Sequence, residues 1–160
     1  MESQKLSHLD KDNKPSMVDV SEKQVTHRTA TARSIVVLPD EVLQILTDGE
    51  LQSKKGPVFQ TAIIAGIMAA KKTGDLVPLC HPLGMDNCKV TIELSENNEV
   101  VIECTASISA KTGIEMEALV GASIAALTVY DMCKALSHDI VIKETKLISK
   151  TGGKLDFKRP

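Results

Sequence analysis

The chain has 160 residues, 42% of them hydrophobic, with 19 basic and 21 acidic side chains and a formal net charge of −2. That length fits one domain able to bury its own core. With no basic excess, one Tyr, two Phe and no Trp, it offers little phosphate attraction or base stacking, which argues against RNA or single-stranded DNA as the main ligand.

Residues 1–16 are polar and charged and end near Pro15, so they are expected to be a flexible tail before a single domain over 17–160. Residues 33–38 (RSIVVL) predict a strand, after which Pro39 and Asp40 open a short helix to about Leu46. The turn-rich stretch 48–57 (DGELQSKKGP) is expected to be an exposed loop. From Pro57 at a first-turn position to Lys71 and Lys72, PVFQTAIIAGIMAAKK predicts a second helix stopped by Gly74. Residues 88–95 and 99–106 alternate apolar and polar around ENNE, a hairpin signal. A long helix follows from Gly113, and DIVIKE (139–144) predicts a further strand. Hairpin strands with two long helices point to an α+β fold, helices packed on one face of a largely antiparallel sheet. Lys-Thr-Gly recurs at 72, 111 and 150, but the flanking residues do not match, and the repeat reads as coincidence.

Four cysteines (80, 88, 104, 133) form no CxxC, which disfavours a zinc knuckle or dithiol centre. The first 14 residues have no apolar core of a secretory signal, and the apolar tract at 118–130 falls short of a membrane span. A cytoplasmic protein with no membrane partner is the expectation. No HExxH or DxDxDG pattern occurs, so no protein-bound metal or cofactor is expected, although Mg²⁺ carried by a phosphorylated substrate stays open.

Three regions carry chemistry. Leu79-Cys80-His81-Pro82-Leu83 is bracketed by prolines, which suits a rigid loop presenting an imidazole. Adjacent residues in an extended segment point to opposite sides, which disfavours a Cys80–His81 nucleophilic pair. Lys54-Lys55-Gly56-Pro57 precedes a helix start, where N–H groups and the dipole attract anions, though a solvated lysine is the plain alternative. Lys150-Thr151-Gly152-Gly153-Lys154 is a basic glycine loop unlike a Walker A sequence, a weak phosphate-cradle signal that by itself reads rather as a flexible C-terminal turn. Arg28, beside His27, gains meaning only from context.

On the long helix, Glu117, Val120, Ile124, Leu127, Asp131 and Lys134 share one side, apolar in the middle and charged at both ends. Either the ends fray into water, or the charges are used. Glu117 and Asp131 are fourteen residues apart, roughly 21 Å of straight helix, too far for one small reacting centre. Neighbouring subunits, each supplying one end, are the favoured expectation.

In continuous order, MVDVS (17–21), Lys55-Gly56, LCHPL (79–83), KTG (111–113), EMEAL (115–119), YDMCKA (130–135) and the glycine loop at 150–154 resemble the MoaC family of cyclic pyranopterin monophosphate synthases, from molybdenum cofactor biosynthesis. The resemblance covers about residues 17–158. It implies a ferredoxin-like α+β fold, a homohexamer built as a trimer of dimers, and active sites between subunits. It implies a lyase-type reaction: a 3′,8-cyclised dihydro-GTP, supplied by a radical GTP cyclase, becomes cyclic pyranopterin monophosphate and pyrophosphate. By motif match, Asp131 takes the catalytic position with Lys134 and Lys55. Leu79, Cys80, His81, Met116 and Glu117 match substrate-contacting segments, and Arg28 and Lys150 match further basic positions more loosely. Pro57 after Lys55-Gly56, where an acidic residue is common, and the lack of an aromatic residue near Thr73-Gly74 are departures. A non-catalytic nucleotide-binding regulatory module on the same fold is the alternative.

Overall fold

The computed structural model of the protein describes residues 7–160. Residues 1–6 of the expected tail lie outside the described residues. In chain order the elements are β1 (Thr26–Val37), α1 (Asp40–Leu43), β2 (Leu46–Thr47), β3 (Glu50–Ser53), β4 (Gly56–Pro57), α2 (Val58–Ala70), α3 (Thr73–Leu76), β5 (Asn87–Leu94), β6 (Glu99–Ala110), α4 (Glu115–Cys133), β7 (Val141–Thr151) and β8 (Phe157–Lys158). The main sheet has the order β5-β6-β1-β7-β8, and every pairing in it is antiparallel. The chain crosses from β1 through α2 to β5, and from β6 through α4 to β7. These are two split βαβ units, the ferredoxin-like arrangement, so the α+β expectation holds.

The core lies between the sheet and the two long helices. On β6, Val100, Ile102, Cys104, Ala106 and Ile108 are buried at every second position, and on β1 so are Ala30, Ala32, Ser34 and Val36. α4 lays Ala118, Gly121, Ala122, Ala125 and Ala126 against them. Such small side chains let the helix backbone come close to the sheet and to α2, which crosses it. A Cβ on Gly66 would sit 2.8 Å from the Gly121 carbonyl oxygen and 3.2 Å from Ala125 Cβ.

Several sequence expectations need correction. The first strand begins at Thr26, not at residue 33, because its early half alternates Thr with Ala and carries no bulky apolar signal. The expected loop at 48–57 is a three-stranded meander, β2-β3-β4, with Leu51 fully buried. Its first turn is Asp48-Gly49, both at positive φ (51° and 77°), the backbone a two-residue hairpin turn demands. The second helix runs only from Val58 to Ala70, with Pro57 as its N-cap rather than in its first turn. Gly74 does not stop it, since Gly74 lies inside the helical turn α3. Pro57 lacks a capping side chain, and Glu50 on β3 substitutes for it. The Glu50 carboxylate accepts N–H bonds from Phe59 (2.7 Å) and Gln60 (3.0 Å). The last long strand extends to Thr151, so Lys150 lies in β7 opposite Ala30 and not in a flexible turn.

By length and composition α4 is apolar enough to cross a membrane, contrary to the shorter tract expected. Half of it is buried here, packed on α2 and the sheet, as the core helix of this domain. Its outer side is open: Leu127 is 52% exposed, and on α2 Ile64 and Met68 are 59% and 56% exposed.

Gly66→Ala tests the helix crossing. Alanine favours a helix interior by about 1 kcal/mol over glycine. The added methyl meets backbone at 2.8 Å, and overpacking costs about 1–3 kcal/mol. Urea denaturation at fixed protein concentration should show a net loss of stability; a gain would mean that the crossing is not tight.

Candidate active site

The charged side chains collect at the two ends of α4. At its C-terminal end, Asp131 receives two lysines. Lys134 Nζ lies 2.8 Å from Oδ1 and Lys55 Nζ 3.0 Å from Oδ2. Lys55 comes from the β3–β4 turn, which Ser53 braces by donating to the Gly56 carbonyl at 3.0 Å and accepting the Lys55 N–H at 3.1 Å. Lys55 Nζ also donates to the Asp131 carbonyl oxygen at 3.3 Å, a helix-end acceptor with no following turn to bond it. Lys55, Asp131 and Lys134, predicted from two motifs, thus form one cluster. Beside it is a shallow depression of about 560 Å³ lined by Leu127, Thr128 and Tyr130 with Asp131 and Lys134.

Hydrogen bonding from Lys134, then from Lys55, lowers the Asp131 carboxyl to about 2. The same contact raises Lys134. Each partner is held in its charged form. The side chains of Asp131, Lys134 and Lys55 are 52%, 51% and 54% exposed, so mutual proximity and not burial sets these shifts.

The other end forms a partly open cavity. Leu79, Cys80, His81, Met116 and Glu117 line one cavity of about 250 Å³, which His8 and Val18 also border. Glu117 is only 3% exposed, and burial is the main cause raising its carboxyl above the ordinary range. Burial and the charge of Glu117 together raise the Cys80 thiol, opposite to what a nucleophilic thiolate requires.

A second cavity, about 270 Å³, contains Arg28, Lys150 and Lys154 and shares Gly113 and Glu115 with the first. Arg28 is fixed by donating from Nε to the Ala110 carbonyl (3.1 Å) and from Nη2 to that of Lys111 (3.3 Å). Lys150 Nζ is 3.0 Å from Glu115 Oε1. Gly152 closes the neighbouring turn at φ +83°, where any Cβ would fall 2.0 Å from the His27 carbonyl oxygen. A larger cavity of about 430 Å³ near Lys71 and Cys88 contains none of the predicted site residues. Among the described residues, no group of three or more His, Cys, Asp or Glu side chains is placed to hold a metal ion.

All ten predicted residues therefore fall into two groups within one protomer, separated by the length of α4. Sequence reasoning missed Glu115, the partner of Lys150. Its signal was available, since it sits two residues before Glu117 in the acidic first turn of α4. It also missed His8, which no motif marked.

These features describe an α+β domain of split βαβ topology that gathers polar groups for a small ligand at both ends of one core helix. The chain belongs to the MoaC family, whose profile matches residues 17–153. It is 54% identical to the cyclic pyranopterin monophosphate synthase of Xanthomonas campestris pv. campestris, over 97% of this chain and 94% of that protein. It is 51% identical to molybdenum cofactor biosynthesis protein 1 of Dictyostelium discoideum and 52% identical to a molybdenum cofactor biosynthesis bifunctional protein of Synechocystis sp.. Those matches cover 96% and 94% of this chain, which spans 27% and 45% of the two longer proteins.

Two outcomes test the electrostatics. Because burial raises the Glu117 carboxyl, the folded state favours its neutral form, and its ionisation subtracts stability above its unfolded pKa. Glu117→Gln should raise Tm at pH 7, with the gain shrinking as pH falls toward 4; a lower Tm would show a carboxylate satisfied by its surroundings. Lys134→Met should lift the Asp131 titration above about 2 in carboxyl-detected NMR, and more than Lys55→Met does. An unmoved titration would mean that the pairs do not persist in solution.

Proposed function

We propose that the protein is a cyclic pyranopterin monophosphate synthase of molybdenum cofactor biosynthesis, a lyase. It would convert (8S)-3′,8-cyclo-7,8-dihydroguanosine 5′-triphosphate to cyclic pyranopterin monophosphate with release of pyrophosphate. The observation that carries this reading is the Lys55–Asp131–Lys134 cluster on a chain whose near-full-length relatives bear that name. Opening the purine imidazole ring, rebuilding a pterin and closing a cyclic phosphate require proton transfers and charge neutralisation, with no net oxidation. Lys134 is protonated at neutral pH and serves as the acid. Asp131 is a weak base while two lysines hold it. It gains basicity when substrate phosphates draw those lysines away. Arg28, Lys150 and His81 neutralise phosphate and leaving pyrophosphate. Glu117 accepts hydrogen bonds from the amino and ring N–H groups of the guanine-type ring, and Leu79, Cys80 and Met116 shape its pocket.

The two groups lie too far apart on one helix to share a reacting centre. The working site is accordingly completed between subunits, in a cytoplasmic homohexamer. Support comes from the exposed apolar residues Ile64, Met68 and Leu127 on α2 and α4, which suit helix packing against another copy. Mg²⁺ accompanies the triphosphate if it takes part.

The deciding experiment supplies the 3′,8-cyclised GTP intermediate to purified protein and measures pyrophosphate and the oxidised, fluorescent pterin. Absence of both overturns the reading. Asp131→Asn, Lys134→Ala and Lys55→Ala should each lower turnover at least ~10²-fold, the scale of a lost acid or base, with unchanged circular dichroism and sedimentation. Near-normal turnover in any of the three removes that residue from the chemistry. A fully active monomer in sedimentation would remove the shared site.

A further inference from the structure

Residues 8–16, in the segment expected to be a flexible tail, fold together with residues 17–21. Leu9 bridges Pro15, and the Ser16 N–H donates to the His8 carbonyl at 2.9 Å. The Asp10 carboxylate accepts the N–H groups of Asp12 and Lys14, each at 2.9 Å. Lys111, from the loop before α4, ties the segment down by donating Nζ to the Ser21 carbonyl at 2.8 Å. This small fold sets His8 and Val18 in the wall of the Glu117 cavity, together with Leu79, Cys80, His81 and Met116.

A buried carboxylate only accepts hydrogen bonds. It suits the amino and ring N–H edge of a guanine-type ring, and leaves the oxo group of that ring in need of a donor. An imidazole N–H is such a donor. We propose that His8 is a substrate-contacting residue, brought by the folded N-terminal segment into the Glu117 cavity, where its imidazole donates to the oxo edge of the guanine-derived ring. This rests on the guanine-nucleotide reading of the site. Residues 8–21 are on this view part of the binding site, and ligand binding stiffens them.

Three measurements on the full chain test it. For His8→Ala, kcat/KM with the 3′,8-cyclised substrate should fall about fivefold to tenfold, the scale of one lost hydrogen bond, chiefly through KM. His8→Gln, which keeps a donor, should recover part of the loss. Amide exchange in residues 8–21 should slow when the substrate or GTP is added to wild type, and less so in His8→Ala. A KM within twofold of wild type in His8→Ala, or exchange in 8–21 indifferent to ligand, overturns the proposal. Calorimetric binding of GTP separates it from the reading it rests on. Weaker GTP binding by His8→Ala supports the His8 contact even where no turnover occurs. Wild type that binds GTP yet never turns over the substrate refutes the synthase reading alone.

Discussion

The close crossing of α2 over α4 at Gly66 and Gly121 is the constraint on which the rest of the domain depends. It lets α4 lie flat on the sheet, with Cys104 under Gly121 so closely that a Cβ there would be 2.5 Å from Sγ. A flat, tightly seated helix of 19 residues is a rigid spacer. The strands on either side of it decide what each end meets. At one end β1 and β7 bring Arg28 and Lys150, and at the other the β2–β4 meander brings Lys55. The Glu50 carboxylate welds that meander to the start of α2, so the position of Lys55 is inherited from the same helix pair.

A second regularity is that cations at both ends rest on carboxylates. Lys55 and Lys134 share Asp131, and Lys150 pairs with Glu115. Assembling lysines to receive a triphosphate would otherwise place like charges together with nothing between them. Half-exposed ion pairs are weak, so on the proposed reading an incoming phosphate would displace the carboxylates at little cost. The displaced Asp131 carboxylate then loses the contacts that held its pKa low and becomes a better base. Within the proposed chemistry, substrate arrival itself would switch on the proton acceptor.

How much of this was readable beforehand depended on side-chain size. Bulky alternation made β5 and β6 legible, and the long apolar run made α4 legible. The start of β1 was hidden because Ala30 and Ala32 are small by necessity, lying under the closely seated helix. The meander is hidden by its own turn residues, although Asp48-Gly49 is a hairpin signal. Lys55, Asp131 and Lys134 could be nominated because each sits in a distinctive motif, and the fold brings all three within hydrogen-bonding distance. Whether the pair would be buried was not readable, because burial depends on what covers α4 from outside. His8 was invisible, since a polar, charged stretch carries no periodicity and its folding depends on local Asp10 turns and on Lys111, about a hundred positions later.

The contrast between the two acidic ends of α4 follows from that geometry. Asp131 stands in the last turn on its exposed side, while Val129, Met132 and Cys133 of that turn are buried, and the two lysines are its charged partners. Glu117 stands in the first turn, only 3% exposed, in the wall of the cavity that Leu79, Cys80 and His81 also line. A buried carboxyl without a cation costs free energy, and the fold retains it where a neutral side chain would be more stable. That expenditure has a return only when a ligand supplies N–H donors to the cavity. The exposed acid is poised by partners that can leave, and the buried acid waits for a partner to arrive. Within the proposed chemistry, one helix separates proton transfer at its C-terminal end from ring recognition at its N-terminal end.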